Sequence, residues 1–263
     1  MELLHHLRHR HEYKKRTEIV VEMVAQLERE GHFPEAHYAF DNGVLTLELT
    51  RLLESQGKHW VSELECSRNI LWRGQWRRLD TIATDLRGGS PQSFRPVQVH
   101  CRNGETKTFW VFTKVVRLRR YGRKRLVIVH ERNDLTDTPR WLVTDALHWE
   151  SGRIMEIWTF RWTAELFHEF GKQGTGLEAA QVRTEEAVKR HLRLSCVAQS
   201  LIQRAPAVAS AVEKFAFAGG EITFGQRCRA IAREVFQALL QVAQRLFAGG
   251  QSCEQVLEVL MPA

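Results

Sequence analysis

The sequence predicts an α/β fold on a mixed sheet, with a β-rich insertion in the middle and a helical C-terminal region. Three observations predict it. The first 65 residues alternate between helical and strand patterns, residues 66–131 lose the helical period and fill with strand-like runs, and from about Ile154 onward the pattern is almost wholly helical. This order suits one mixed-sheet domain interrupted by an insertion better than two independent domains.

Ile19, Val20, Met23, Val24 and Leu27 recur at helical spacing over 16–30, and Gly31 ends that helix. His37 to Phe40 reads as a short strand running into the turn signal Asp41-Asn42-Gly43. Helical spacing returns over 44–53 and stops at Gly57, and 60–64 forms the next strand. The unit is therefore parallel α/β, with Asp41 at a strand's C-terminal end, the edge where ligands and catalytic groups collect in open α/β sheets. Strands follow at 97–100, 109–116, 125–129 and 141–144, separated by turn chemistry at 88–91, Asn103-Gly104 and Tyr121-Gly122. Helices are predicted over roughly 155–170, 177–203, 224–247 and 252–260.

A net charge of +7 and a pI of about 9.4 favour a polyanionic partner, most simply nucleic acid. The five cysteines, Cys66, Cys101, Cys196, Cys228 and Cys253, contain no C-x-x-C pair, which argues against a disulfide framework or zinc cluster and fits a reducing cytoplasm. No apolar run reaches the ~18 residues of a membrane span, and the start carries no signal-peptide core. His5, His6, His9 and His11 crowd a basic stretch that reads as a solvated helix end in preference to a metal tract.

One helix carries the most suggestive pattern. Trp158, Arg161, Glu165 and Lys172 are separated by three, four and seven positions, so they share one stripe bearing an aromatic ring, a guanidinium, a carboxylate and an ammonium. A solvated face with an Arg161–Glu165 ion pair is the plain alternative. The Trp at its start, the strands before it and the strand-end Asp41 favour a functional reading.

Trp158-x2-Arg161-x3-Glu165-x6-Lys172 resembles the Y-x2-R-x3-E-x6-K signature of bacterial cut-and-paste insertion-sequence transposases of the DDE type, with Trp in place of Tyr. Gln173, Gly176-Leu177, Gln181-Val182-Arg183, Arg190-His191-Leu192 and Trp141 to Asp145 are similar to the same family. Tyr38 to Gly43, with Gly57 to Val61 behind it, resembles the segment around the family's second catalytic Asp. The resemblance runs from about residue 13 to 260.

The resemblance implies a ribonuclease H-like core made of residues 13–65 and 132–203, an insertion over 66–131 and a helical region over 204–263. It implies metal-dependent DNA strand cleavage and transfer. In that chemistry two Mg²⁺ ions about 3.5–4 Å apart activate the attacking oxygen and stabilise the leaving one, held by hard carboxylate ligands. Asp41 and Glu165 take the catalytic and metal-binding roles. Trp158, Arg161, Lys172, Gln173 and Arg183 take the contacts to double-stranded DNA at transposon ends, and the family allows a homodimer. Trp158 has no hydroxyl, so the phosphate bond made by the family's Tyr is lost.

The family's first Asp belongs on an earlier strand, yet no Asp precedes Asp41, and Glu12, Glu18, Glu22, Glu28, Glu30 and Glu35 fall mostly on the predicted helix. Asp80, Asp85, Asp134, Asp137 and Asp145 come too late in the chain to replace it. The expectation is a truncated, catalytically inactive transposase fragment, with a non-enzymatic DNA-binding remnant or regulator as the alternative.

Overall fold

The computed structural model describes residues 14–100, 106–204 and 222–261. The His5, His6, His9 and His11 tract, Glu12 and the Asn103-Gly104 turn lie outside them. The chain divides into two compact units, Met1–Thr163 and Ala164–Ala263.

In the first unit, α1 (Arg16–Glu30) turns Val20, Val21 and Val24 toward the core and ends at Gly31, whose φ of 66° is the left-handed cap an L side chain resists. Strand β1 (Tyr38–Phe40) leads to α2 (Leu47–Ser55), which starts later than its apolar pattern because Thr46 caps it, accepting from the Leu49 amide at 3.2 Å. Gly57 turns the chain into β2 (Trp60–Glu63). β1 and β2 pair in parallel, Tyr38 with Trp60 and Phe40 with Ser62, as the helix–strand–helix–strand pattern predicts.

Residues 66–131 hold more than strands. A hairpin, β3 (Asn69–Trp72) and β4 (Gln75–Arg78), turns on Arg73 and Gly74, both with positive φ, the two-residue connection that matches strand twist. Helix α3 (Leu79–Gly89) follows, buried along Leu79, Ile82, Ala83 and Leu86. Its i, i+3, i+4, i+7 pattern sits among Asp and Thr residues, and the strand-only expectation for this region passed over it. β5 (Arg95–His100), β6 (Thr106–Leu118), β7 (Gly122–His130) and β8 (Arg140–Thr144) complete a sheet ordered β1-β2-β8-β7-β6-β3-β4, with β5 also on β6. Every pairing after β1–β2 is antiparallel, so the sheet is mixed. Because β8 pairs with both β2 and β7, the strands of 66–131 extend the same sheet.

Both sheet faces are covered, which explains why β7 reads as an unbroken apolar run, Leu126 to Val129. One face packs Trp60, Ile70, Leu118, Leu126 and Ile128 against α2 and α3. The other packs Val61, Val111, Val127 and Leu142 against α4 (Ser151–Phe160) through Ile154, Met155 and Trp158.

Asp145, just past β8, ties this arrangement at its end. Its carboxylate accepts from the Trp60 amide at 2.9 Å and meets His59 Nδ1 at 2.7 Å. The second unit contains α5 (Trp162–Gly174), which begins at the unit boundary, then α6 (Glu185–Arg204), α7 (Phe224–Ala248) and α8 (Cys253–Leu260). Phe170 stacks on Phe224 at 4.8 Å, and Gln199 donates to the Phe167 carbonyl at 3.0 Å. Among the described residues no helix is long and apolar enough to cross a membrane.

Asp145→Ala strands a half-buried amide and an imidazole, so it should lower unfolding stability by about 1–3 kcal/mol, with Asp145→Asn losing less. Urea unfolding followed by circular dichroism measures this. An unchanged midpoint means that the clamp does not hold β2.

Candidate functional site

Phe40 ends β1 stacked on the buried Trp60, ring centroids 5.8 Å apart, and the next residue is Asp41. The Asp41 side chain is exposed and folds back locally, its Oδ1 accepting from the Gly43 amide at 2.9 Å in an Asx turn. Arg16 reaches the same turn and donates to the Gly43 carbonyl at 3.3 Å. A Cβ at Gly43 would stand 2.7 Å from Arg16 Nη2 and 3.1 Å from Asp41 Oδ1, so a larger residue there displaces the ends of these two side chains. On the other side of Asp41, the buried Ser62 of β2 donates to its carbonyl at 3.4 Å. Parallel pairing thus places Asp41 at the C-terminal edge of a strand pair, beside a guanidinium.

The signature helix is not continuous. α4 stops at Phe160 and α5 starts at Trp162, with Arg161 between them and its amide bonded to the Trp158 carbonyl at 3.1 Å, a tightened i→i−3 turn. No Pro or Gly marks this break. Trp158 is only 8% exposed and belongs to the core beneath α4. Arg161 lies over its ring, Cζ 4.8 Å from the centroid. A guanidinium on an indole face is a favourable cation–π contact, so Trp158 seats Arg161 while its own surface is spent on packing.

Glu165 stands half-buried in the first turn of α5, where a carboxylate complements the helix dipole. Lys172, in the last turn, pairs with Glu178 at 2.6 Å, and Gln173 donates to Glu169 at 3.2 Å. Both contacts are exposed and cost little to exchange for another anion. Arg183 is exposed in the connection before α6. Trp158 and Arg161 are therefore together in the first unit, and Glu165, Lys172, Gln173 and Arg183 belong to the second.

Three of the described glutamates that precede Asp41 are engaged elsewhere. Glu18 accepts from the Lys15 amide, Glu22 pairs with Lys14, and Glu28 binds the Tyr38 hydroxyl and faces Lys58 at 3.6 Å. Burial, with Glu28 beside it, pushes the Tyr38 hydroxyl well above the ordinary tyrosine range. Asp137 closes the β7–β8 connection, accepting from the Glu131 and Arg132 amides at 2.8 and 3.3 Å. Asp80 pairs with Arg78, and Asp134 with Arg132.

Among the described residues no three His, Cys, Asp or Glu side chains come together as a metal-binding group. They do not assemble the three-carboxylate set that a two-metal centre requires, and no step through a metal follows from them. No protein-family model matches the chain, and a search of curated proteins finds no match either.

Sequence reasoning missed the His59–Asp145 clamp, whose partners are distant in the chain. It also missed a cluster of arginines around Arg119 and Arg120, although the run Arg117-Leu118-Arg119-Arg120-Tyr121-Gly122-Arg123-Lys124-Arg125 is plain in the sequence.

Trp158→Ala should cost about 3–5 kcal/mol of stability through the cavity it leaves, whereas Trp158→Phe keeps most of the packing. Thermal unfolding by calorimetry separates the two. Equal midpoints for Trp158→Ala and the parent chain contradict the core assignment.

Proposed function

We propose that the chain is a DNA-binding polypeptide of the DDE transposase type, ribonuclease H-like in its core, and without strand-cleaving activity by itself. The observation that carries the reading is the position of Asp41. It ends the first strand of a parallel pair inside a helix–strand–helix–strand unit, where such a core carries a catalytic carboxylate. The spacing of Trp158, Arg161, Glu165 and Lys172 supports it. On this reading Asp41, in the first unit, and Glu165, in the second, correspond to the family's Mg²⁺-binding catalytic carboxylates, and among the described residues no group of three possible metal ligands forms. β1 is the last strand in the sheet order, and an open edge of this kind accepts a further strand by main-chain pairing.

The partner is double-stranded DNA at transposon ends, met in the cytoplasm. Arg161, Lys172, Gln173 and Arg183 hold phosphates, and Arg161 is presented for this by the Trp158 ring. Homodimerisation is part of the proposal, supported by Val235, Phe236, Leu239 and Leu240 of α7, which leave an apolar patch exposed. A non-enzymatic DNA-binding remnant is the second reading, favoured because among the described residues no group of three possible metal ligands forms.

The test uses the purified full chain with duplex DNA. Affinity should fall linearly with salt on logarithmic axes, and removing Arg161, Lys172 and Arg183 should lower the slope by about 0.9 for each phosphate no longer neutralised. Supercoiled plasmid with Mg²⁺ should stay uncut. Nicking that disappears in Glu165→Gln contradicts the predicted inactivity, and absence of binding at low salt contradicts the DNA-binding reading itself.

A further inference from the structure

Two hairpins of the first unit, far along the sheet from Asp41, gather arginines in excess of acidic partners. The β3–β4 and β6–β7 hairpins are neighbours because β3 pairs with β6, Ile70 with Leu118 and Leu71 with Arg117. Arg119 and Arg120 form the β6–β7 turn, and the Arg119 amide donates to the Asn69 carbonyl at 3.2 Å. Together with Arg68 they line a cleft of about 440 Å³, into which Ser67 and Asn69 add polar side chains and Glu65 the single carboxylate. The Arg68 Nε is buried without a hydrogen-bond partner. Among the described residues, none of Arg68, Arg119 and Arg120 forms an ion pair. Arg120 holds this place at a φ of 74°, a conformation disfavoured for a residue with a Cβ.

The strands beside the cleft show the same excess. Register aligns Trp76, Leu71, Arg117 and Arg123 in one row across β4, β3, β6 and β7. Arg117 and Arg123 stand directly opposite each other, and both are exposed. Like charges at facing positions destabilise a sheet, so folding alone does not select this pair. Trp76, 49% exposed at the other end of the row, offers a flat aromatic surface. Guanidiniums that repel one another beside an exposed indole match a strand of nucleic acid, with phosphodiesters between the arginines and a base on the ring.

We infer that this cleft and its flanking row are a nucleic-acid-binding surface, in which Arg68, Arg117, Arg119, Arg120 and Arg123 hold backbone phosphates and Trp76 stacks on a base. It does not depend on the transposase reading, because it uses none of the residues assigned there. An isolated phosphate or polyphosphate shares the anion chemistry but has no use for Trp76.

The experiment measures binding of a fluorescein-labelled single-stranded oligonucleotide to the full chain by anisotropy at fixed low salt. Three variants are compared with the parent: Arg119→Ala with Arg120→Gly, Arg117→Thr with Arg123→Thr, and Trp76→Ala. Glycine at 120 removes the guanidinium and accepts the positive φ. Each variant should bind about tenfold more weakly, and the Arg117/Arg123 variant should melt no lower than the parent, since it relieves a repulsion. Lys at 117, 119 and 123 should retain most of the affinity, which keeps the test decisive where another variant folds poorly. Unchanged oligonucleotide affinity in both arginine variants overturns the proposal. Binding of inorganic triphosphate that needs Arg119 and Arg120, with oligonucleotide affinity independent of Trp76, also overturns it and leaves a small-anion site.

Discussion

Trp60, Val61 and Ser62 are all fully buried on β2, and that strand pairs in parallel with β1 on one edge and antiparallel with β8 on the other. The switch of direction at β2 is the constraint on which the first unit depends. Its parallel side requires the crossover through α2 and so puts Asp41 at a strand terminus. Its antiparallel side lets β8, β7 and β6 follow in register and carries the arginine hairpins. Trp60 serves both sides, since its ring stacks under Phe40 and its indole nitrogen donates to Glu54, which also neutralises the buried Lys124 at 3.1 Å. The His59–Asp145 contact then locks where β2 begins.

Much of this was legible in the sequence. Helix 16–30, the strand before Asp41 and the parallel unit follow from periodicity and from Gly31 and Gly57, because local pattern and cap chemistry agree there. Disagreements arise where tertiary structure decides. The helix expected from 177 begins at Glu185, since Gly176 takes a φ of 68° and the Leu177 amide closes back on the Gly171 carbonyl at 2.9 Å. Gly171 is buried there in a tight fit, where a Cβ would meet Leu177 at 3.1 Å and push it back by a few tenths of an ångström. The break at Arg161 had no signal at all. It falls between Trp158, which belongs to the core of the first unit, and a helix that belongs mostly to the second.

The residues of the candidate site could be named from the sequence, whereas their arrangement could not. Asp41 falls where its strand predicts. The stripe of Trp158, Arg161, Glu165 and Lys172 presumed one straight helix, and a one-residue turn separates its first pair from its second. Trp158 then acts on Arg161 in place of a ligand. The arginines of the β6–β7 turn were visible as a run, yet only sheet pairing brings Arg68 beside them and sets Arg117 against Arg123. Charge clusters of this kind are properties of register, which a linear reading cannot supply.

Both proposed surfaces concern one partner class on two parts of the chain, and the net charge of +7 is consistent with that partner. Hydrogen–deuterium exchange of the full chain, with and without DNA at low salt, examines them together. The account predicts slower exchange on binding in the β6–β7 hairpin around 117–125 and in the segment 161–183, with the buried strands β2 and β8 unchanged. Saturating DNA that leaves both segments exchanging at their free rates contradicts it.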